Sequence, residues 1–270
     1  SGYDYPEWKG VFYPADLKRA DFLSYYATQF NAVELNNTFY NMPTAERILS
    51  FYERSEGKIQ FSIKANRLLT HEVSSLWQTA AGDFKTAVSP VMEKGALSAI
   101  LFQLPQSFHY TPDNRIYLSR LINEFAGYPV VIEFRHREWI RDSVFEGLYK
   151  LNASLAFCDM PELKYLPGTL LNQTNSSSAQ NSQQFYVRMH GRNQNAWYAD
   201  ISQLQDNNGS ARYDYDYSDE ELTKFEPVIV EQLQKKKKTQ VFFNNHPKGK
   251  GARNAKTLRQ LVETSLASKK

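Results

Sequence analysis

The sequence predicts a (β/α) barrel of parallel strands, with the first strand missing or truncated in this numbering. Three observations carry this. Short apolar or β-branched runs alternate strictly with helical patterns, and such alternation implies a parallel sheet with right-handed crossovers. The length, 270 residues, suits one α/β barrel, which typically takes about 250. Polar residues recur at the C-terminal ends of the strands, the rim on which barrel enzymes build their sites. Seven strand–helix units can be read, one short of a closed eightfold barrel. An open doubly wound sheet is the alternative. There is no G-x-G-x-x-G dinucleotide fingerprint and no P-loop.

The elements follow in order. A helix is predicted over Ala15–Phe30, from Leu17, Phe22, Leu23, Tyr26 and Phe30, and a strand over Ala32–Asn36. Thr44–Ser55 is a helix with Thr44 as N-cap after Pro43. Ile59–Ala65 is a strand with period-two alternation, and Ser75–Lys94 a long helix. The strand Ser98–Leu104 stops at Pro105, and Pro112–Phe125 is a helix. Pro129–Arg135 opens with a β-branched run covered on both faces and ends in charge. Asp142–Leu151 is a helix and Ala153–Asp159 a strand. The Asn/Gln/Ser-rich tract Asn172–Gln184 reads as a mobile loop, not a linker, so residues 1–270 form one domain. Phe185–His190 is a strand, and Gly191–Tyr217 a second long loop. Ser218–Lys238 is a helix with a capping box from Ser218 and Glu221. The strand Thr239–Asn245 and the helix Ala252–Ala267 close the chain.

Composition narrows the function. A net charge of +3 permits an anionic ligand but is weaker than a dedicated nucleic-acid binder would show. A lone cysteine, Cys158, excludes an internal disulfide and fits a reducing compartment. No apolar run is long enough to span a membrane and no signal pattern opens the chain, so a cytoplasmic protein is expected.

The rim residues are Glu34 and Asn36, Ser62 and Lys64, Gln103, Glu133 and Arg135, Asp159, Arg188 and His190, and Asn244 and Asn245. Several are i, i+2 pairs, so both members face one side of a strand. Either they form an interior layer of paired polar groups or they line an active site. Three carboxylates (Glu34, Glu133, Asp159) balance three bases (Lys64, Arg135, Arg188). A divalent-metal site normally needs an excess of carboxylates or neutral histidines, so no cofactor is predicted, with a divalent metal left open. A balanced set suits an anionic ligand held by Arg and Lys, with groups left for proton transfer. His71 and His190 are the natural acid/base candidates. His190-Gly191-Arg192 and Gly249-Lys250-Gly251-Ala252-Arg253-Asn254 add a phosphate hint, because glycines admit backbone N–H groups to an anion. Cys158 reads as core.

These residues fall in motifs that resemble the YecE-like domain-of-unknown-function family, number seventy-two in that series. Glu7–Pro14 resembles its W-x-G-x-F-Y-P opening, and Val33–Tyr40 its V-E-x-N-x-T-F-Y. Phe61–Ala65 with Thr70-His71, Leu101–Pro105, Glu133–Trp139 and Tyr186–Gly191 resemble F-x-x-K…T-H, F-Q-L-P, E-F-R-x-x-x-W and Y-x-R-x-H-G. Phe243-Asn244-Asn245 with Ala252 and Asn254-Ala255 resembles the closing F-N-N…A-x-x-N-A. The resemblance covers essentially the whole chain and implies a TIM-type barrel. It also implies a first strand ending in G-x-S-G-W/Y, of which only Ser1-Gly2-Tyr3 remains. Pro105 stands alone where the family has Pro-Pro, and the tract at Asn172–Gln184 is a second departure. No activity comes with the resemblance.

The expectation is an enzyme acting on a small anionic substrate, phosphorylated ones included. Glu34, Lys64, His71, Glu133 and His190 are the catalytic candidates. Arg135, Arg188, Asn36, Tyr40, Gln103, Trp139, Asn244, Asn245 and Lys250 are the candidate substrate contacts. The alternative is a nucleic-acid binder or nuclease relative using loop aromatics and surface lysines, with or without a metal.

Overall fold

The structure, a computed structural model, describes residues 1–170, 182–198 and 210–268. Seven parallel strands run side by side in sequence order: β1 (Ala32–Leu35), β2 (Gln60–Lys64), β3 (Leu97–Gln103), β4 (Val130–Glu133), β5 (Ser154–Asp159), β6 (Gln184–Met189) and β7 (Lys238–Phe243). The long helices are α1 (Phe22–Gln29), α2 (Ala45–Arg54), α3 (Trp77–Glu93), α4 (Pro112–Glu124), α5 (Asp142–Lys150), α7 (Asp219–Gln234) and α8 (Lys250–Ser268). A short α6 (Gln194–Trp197) sits in the loop after β6. The sheet curls into a nearly closed barrel, and β1 and β7 are its two unpaired edges. A cavity of about 290 Å³ lies at this seam, lined by Ala32 of β1 and Thr239–Phe243 of β7. The backbone N–H of Gly2 donates to the Glu34 carbonyl at 2.9 Å, and the Ser1 amine donates to the Phe243 carbonyl, so these two residues lie along the seam.

The strands are buried on both faces, which is why they read as near-continuous apolar runs. Their outward residues, such as Val33, Phe61, Ile100, Ile132, Phe157 and Val187, join the large core beneath the helices. The inward residues Ala99, Leu101, Val131, Ala156, Cys158 and Phe242 fill a separate interior core. Above that core the inward positions turn polar. Parallel register sets Glu34 beside Ser62, Gln103 beside Glu133, and Cys158 beside Arg188.

The helix starts follow their caps. The Thr44 hydroxyl accepts from the Arg47 N–H, Thr111 caps α4 ahead of Pro112, and Ser218 with Glu221 closes a capping box on α7. One helix is shorter than its pattern. The predicted Ala15–Phe30 helix begins only at Phe22, after a 3₁₀ turn at Arg19–Asp21. Leu17 and Phe22 are five apart, off helical spacing, whereas Phe22, Leu23 and Tyr26 are the residues that bury. Conversely, α8 starts at Lys250, before the predicted Ala252. Strands β1, β4, β6 and β7 end one or two residues before their predicted limits. Most of the Asn172–Gln184 tract lies outside the described residues; its last residue, Gln184, opens β6. No described helix is long and apolar enough to cross a membrane.

Candidate functional site at the barrel mouth

Glu34, Glu133, Arg188 and His190 come from β1, β4 and the end of β6, and all are buried inside the barrel. Arg188 is the hub. Its Nε and Nη2 donate to Glu34 Oε2 and Oε1 at 2.9 and 2.7 Å, and its Nη1 donates to Glu133 Oε2. The fork geometry of a guanidinium matches a carboxylate this way, and here a single side chain satisfies two of them. The Tyr186 hydroxyl donates to Glu34 Oε2 at 2.7 Å and meets Ser62 Oγ at 2.6 Å. Asn36 Nδ2 donates to Glu34 Oε1 at 3.2 Å. Arg135 Nε donates to the remaining Glu133 oxygen, while its Nη2 lies 3.3 Å from His190 Nε2. The other His190 nitrogen faces the Asn244 amide at 2.8 Å. The i, i+2 pairs read from the sequence do share a face: Asn36 with Glu34, and Arg135 with Glu133.

Asp159 does not join them. It lies one residue beyond the inward-facing Cys158 and therefore points out of the barrel. There it accepts from Arg192 Nη2 at 2.8 Å, Tyr217 hydroxyl at 2.6 Å and Thr169 hydroxyl at 2.7 Å. The even charge balance read from the sequence is thus broken. Two carboxylates match Arg188 and Arg135, and Lys64 is left over.

Above this buried floor is a cavity of about 490 Å³. One wall comes from the loop after β6, with Trp197, Tyr198, Arg212 and Tyr213; the other carries His71, Gln103, Pro105 and Gln106. Arg135 and Leu166 also line it, and among the described residues no carboxylate does. Gln106 reaches across to the Tyr198 hydroxyl at 3.0 Å. Arg212 lies over the Tyr213 ring and, among the described residues, has no carboxylate partner. Lys64 Nζ donates to Gln103 Oε1 at 2.8 Å and lies 4.2 Å from the centre of the Phe39 ring.

Gly191 makes the turn that carries this wall. Its φ is +86°, and a Cβ there would meet Tyr215 Cβ at 2.4 Å and Asn245 Nδ2 at 2.7 Å, so only glycine fits. The phosphate hint fares differently. The Gly191 N–H donates to the Tyr217 hydroxyl at 2.8 Å, and Arg192 is held by Asp159. Lys250 pairs with Asp214 at 2.5 Å, Arg253 pairs with Asp216, and the Gly251 N–H donates to the Asn245 carbonyl at 2.6 Å. These donors of the two glycine segments are engaged within the protein.

Other candidates also lie off the cavity. Tyr40 is exposed beyond β1, with its ring against Phe39. Trp139 is buried between Phe108 and Phe134. Asn245 is buried, with its Nδ2 donating to the carbonyls of His190 and Tyr213. Arg212, Tyr213 and Gln106 were not singled out from the sequence. An arginine beside tyrosines in a long rim loop was the available signal.

Burial and charge set the protonation states. Burial works against ionised Glu34 and Glu133, but the Arg188 charge for Glu34 and the Arg135 charge for Glu133 win and hold both below the usual carboxylate range. His190 is pushed down to about 3, by burial first and Arg135 next, so it is neutral. The Lys64 amine is brought down to about 7, by burial first and the Arg188 charge next. Burial raises the Cys158 thiol well above its ordinary value, so it is no thiolate nucleophile.

A stability profile follows. Below pH 6.5 the unfolded chain protonates its histidines while folded His190 stays neutral down to about 3; His71 and His246 are lowered in the same sense. The unfolded state then binds more protons, so stability falls as pH falls. The two glutamates, lowered from 4.5, add to the fall at lower pH. Urea midpoints measured from pH 8 to 4 should fall gently down to pH 6.5, because the Lys64 amine is brought down to about 7 only in the folded state, and more steeply below it, with a shallower drop in His190→Asn. A level profile down to pH 5 in both proteins would contradict a neutral buried His190.

Among the described residues, two sets of donor atoms each lie within 4.8 Å of one another: Glu133, Cys158 and His190 inside the barrel, and His109, His136 and Glu138 outside it. A metal at the inner set would have to compete with Arg188 and Arg135 for both Glu133 oxygens.

The comparisons agree with this architecture. A family model described as "Protein of unknown function DUF72" matches residues 1–270. The UPF0759 protein YunF of Bacillus subtilis (strain 168) is 26% identical over 265 residues, spanning 93% of this chain and 90% of the relative. A DUF72 family protein from Thermotoga maritima MSB8 superposes with a TM-score of 0.83 at 31% identity, covering 97% of each chain. A second, from Enterococcus faecalis V583, has a TM-score of 0.73 at 22% identity, over 89% of this chain and 88% of that one. The chain belongs to the DUF72 family of unknown function.

Proposed function

We propose that the protein is an enzyme that binds a small anionic substrate, phosphorylated ones included, in the mouth cavity and transforms it by acid/base chemistry. The observation that carries this is the surplus of positive charge there. Glu34 and Glu133 are consumed by Arg188 and Arg135, whereas Arg212 and Lys64 have no carboxylate partner among the described residues. An anion would supply the missing counter-charge in a site partly screened from water. Arg212 and the outer edge of Arg135 hold the anion, Gln103 orients it, and His71 and Lys64 move protons. Glu34, Glu133, Arg188 and His190 form the fixed floor that positions Arg135. A divalent metal on the floor is the alternative cofactor reading, and it requires Glu133 to give up its arginines.

The test is calorimetric titration with inorganic phosphate. Binding is expected to weaken about tenfold or more in Arg212→Gln, the loss of a charge-assisted hydrogen bond. Equal affinity in variant and wild type would sink the assignment. If a single-stranded oligonucleotide competes with phosphate, with an affinity that falls steeply with salt, the ligand is nucleic acid instead.

A further inference from the structure

We propose that Lys64 is a covalent nucleophile, forming an imine with the carbonyl carbon of a small aldehyde or ketone whose phosphate or carboxylate is held by Arg212 and Arg135. This rests on the anion-binding reading of the mouth and names its substrate class. Lys64 ends β2, at the rim where barrel side chains reach substrate. A lysine buried for structural reasons is normally paired with a carboxylate. Among the described residues, both nearby carboxylates are already held by arginines, and Lys64 has only a neutral acceptor, Gln103 Oε1, and the face of Phe39. The Gln103 amide is fixed in that orientation, because its Nε2 donates to the Leu104 carbonyl at 3.0 Å. Gln103 lines the cavity, so the amine lies one hydrogen bond behind the cavity wall.

Burial and neighbouring cations are the two ways a lysine is made nucleophilic at neutral pH, and both act here. His71 is placed to assist. Its ring packs edge-on against the Phe39 ring that carries Lys64, with centroids 4.7 Å apart, and it lines the same cavity. The Thr70 hydroxyl, 2.9 Å from His71 Nδ1, orients it.

The step balances without a co-reactant. The neutral amine attacks the carbonyl carbon and forms the N–C bond of a carbinolamine. The C–O bond then breaks, and the oxygen leaves as water with the two protons that began on the amine, relayed by His71. Hydrolysis reverses the sequence and frees the lysine. Once its nitrogen takes up a proton from solvent through His71, the imine draws electrons from the adjacent carbon, which suits proton removal or carbon–carbon cleavage there.

The experiment uses pyridoxal 5′-phosphate, an aldehyde carrying a phosphate, with borohydride reduction and peptide mass mapping of the full chain. Lys64 should be labelled ahead of every other lysine at pH 7.5. Its rate should rise through pH 7, where exposed lysines would respond only near pH 10. Excess inorganic phosphate should slow the labelling, and Arg212→Gln should reduce its rate about tenfold while leaving the site of labelling unchanged. Labels confined to exposed lysines, with phosphate still bound calorimetrically, would overturn the imine and leave the anion reading standing. Labelling of Lys64 that phosphate does not slow would keep the nucleophile but remove the arginines as its anion holders. Failure of both labelling and phosphate binding would remove both.

Discussion

Replacing Arg188 with methionine should destabilise the folded protein by about 3–5 kcal/mol, the range for breaking a buried ion pair from one side. The reason is that two carboxylates depend on one guanidinium. Arg188 gives Nε and Nη2 to Glu34 and Nη1 to Glu133, and all three side chains are sealed from water. Removing it leaves Glu34 with only hydrogen bonds from Tyr186 and Asn36 and no counter-charge among them. In a chain of this size the melting temperature should fall by roughly 6–20 °C. The loss should also depend on pH. Without Arg188, burial raises the Glu34 pKa, so acid neutralises it in the folded state and relieves the penalty. The gap between wild type and variant in urea denaturation should therefore narrow from pH 7 to pH 4. Adding Glu34→Leu to the variant should restore part of the stability at pH 7, because it removes the orphaned charge. A melting temperature for Arg188→Met within about 3 °C of wild type would mean that water reaches the network.

Trp139→Ala should cost a similar amount, about 3–5 kcal/mol, by leaving a large hole in the core. Trp139 is 2% exposed. Its ring stacks on Phe134 at 4.7 Å and on Phe108 at 5.2 Å, with Tyr110 edge-on at 5.0 Å. Its indole N–H donates to the Phe108 carbonyl at 2.6 Å. These contacts clamp the segment after β4 to the loop after β3, on the outer side of the barrel wall. Trp139→Phe keeps most of the packing but leaves that carbonyl unpaired, so about 1–3 kcal/mol should be lost. Guanidinium denaturation of the two variants measures both values, and phosphate titration of Trp139→Phe should match wild type. If Trp139→Ala keeps its stability and loses phosphate affinity, the tryptophan is a ligand contact after all.

Much of this architecture was legible in the chain. Runs such as Val130-Val131-Ile132 and Ala99-Ile100-Leu101 mark strands covered on both faces, and Thr44, Thr111 and Ser218 mark helix starts, because these signals are local. The i, i+2 rule placed Glu34 with Asn36 and Glu133 with Arg135, because two residues span one strand repeat. Barrel closure decided the rest. The sequence could place Cys158 and Asp159 on opposite faces of β5 but not say which face was inside, since both carry apolar neighbours. Nor could it pair Arg188 with Glu34, 154 positions away, rather than with a ligand. Arg212 looks like an ordinary surface cation in sequence, and Lys64 reads there only as one base of a balanced rim set. Only the folded chain shows that the nearby carboxylates are already occupied, because charge compensation depends on distance in space and not on order along the chain.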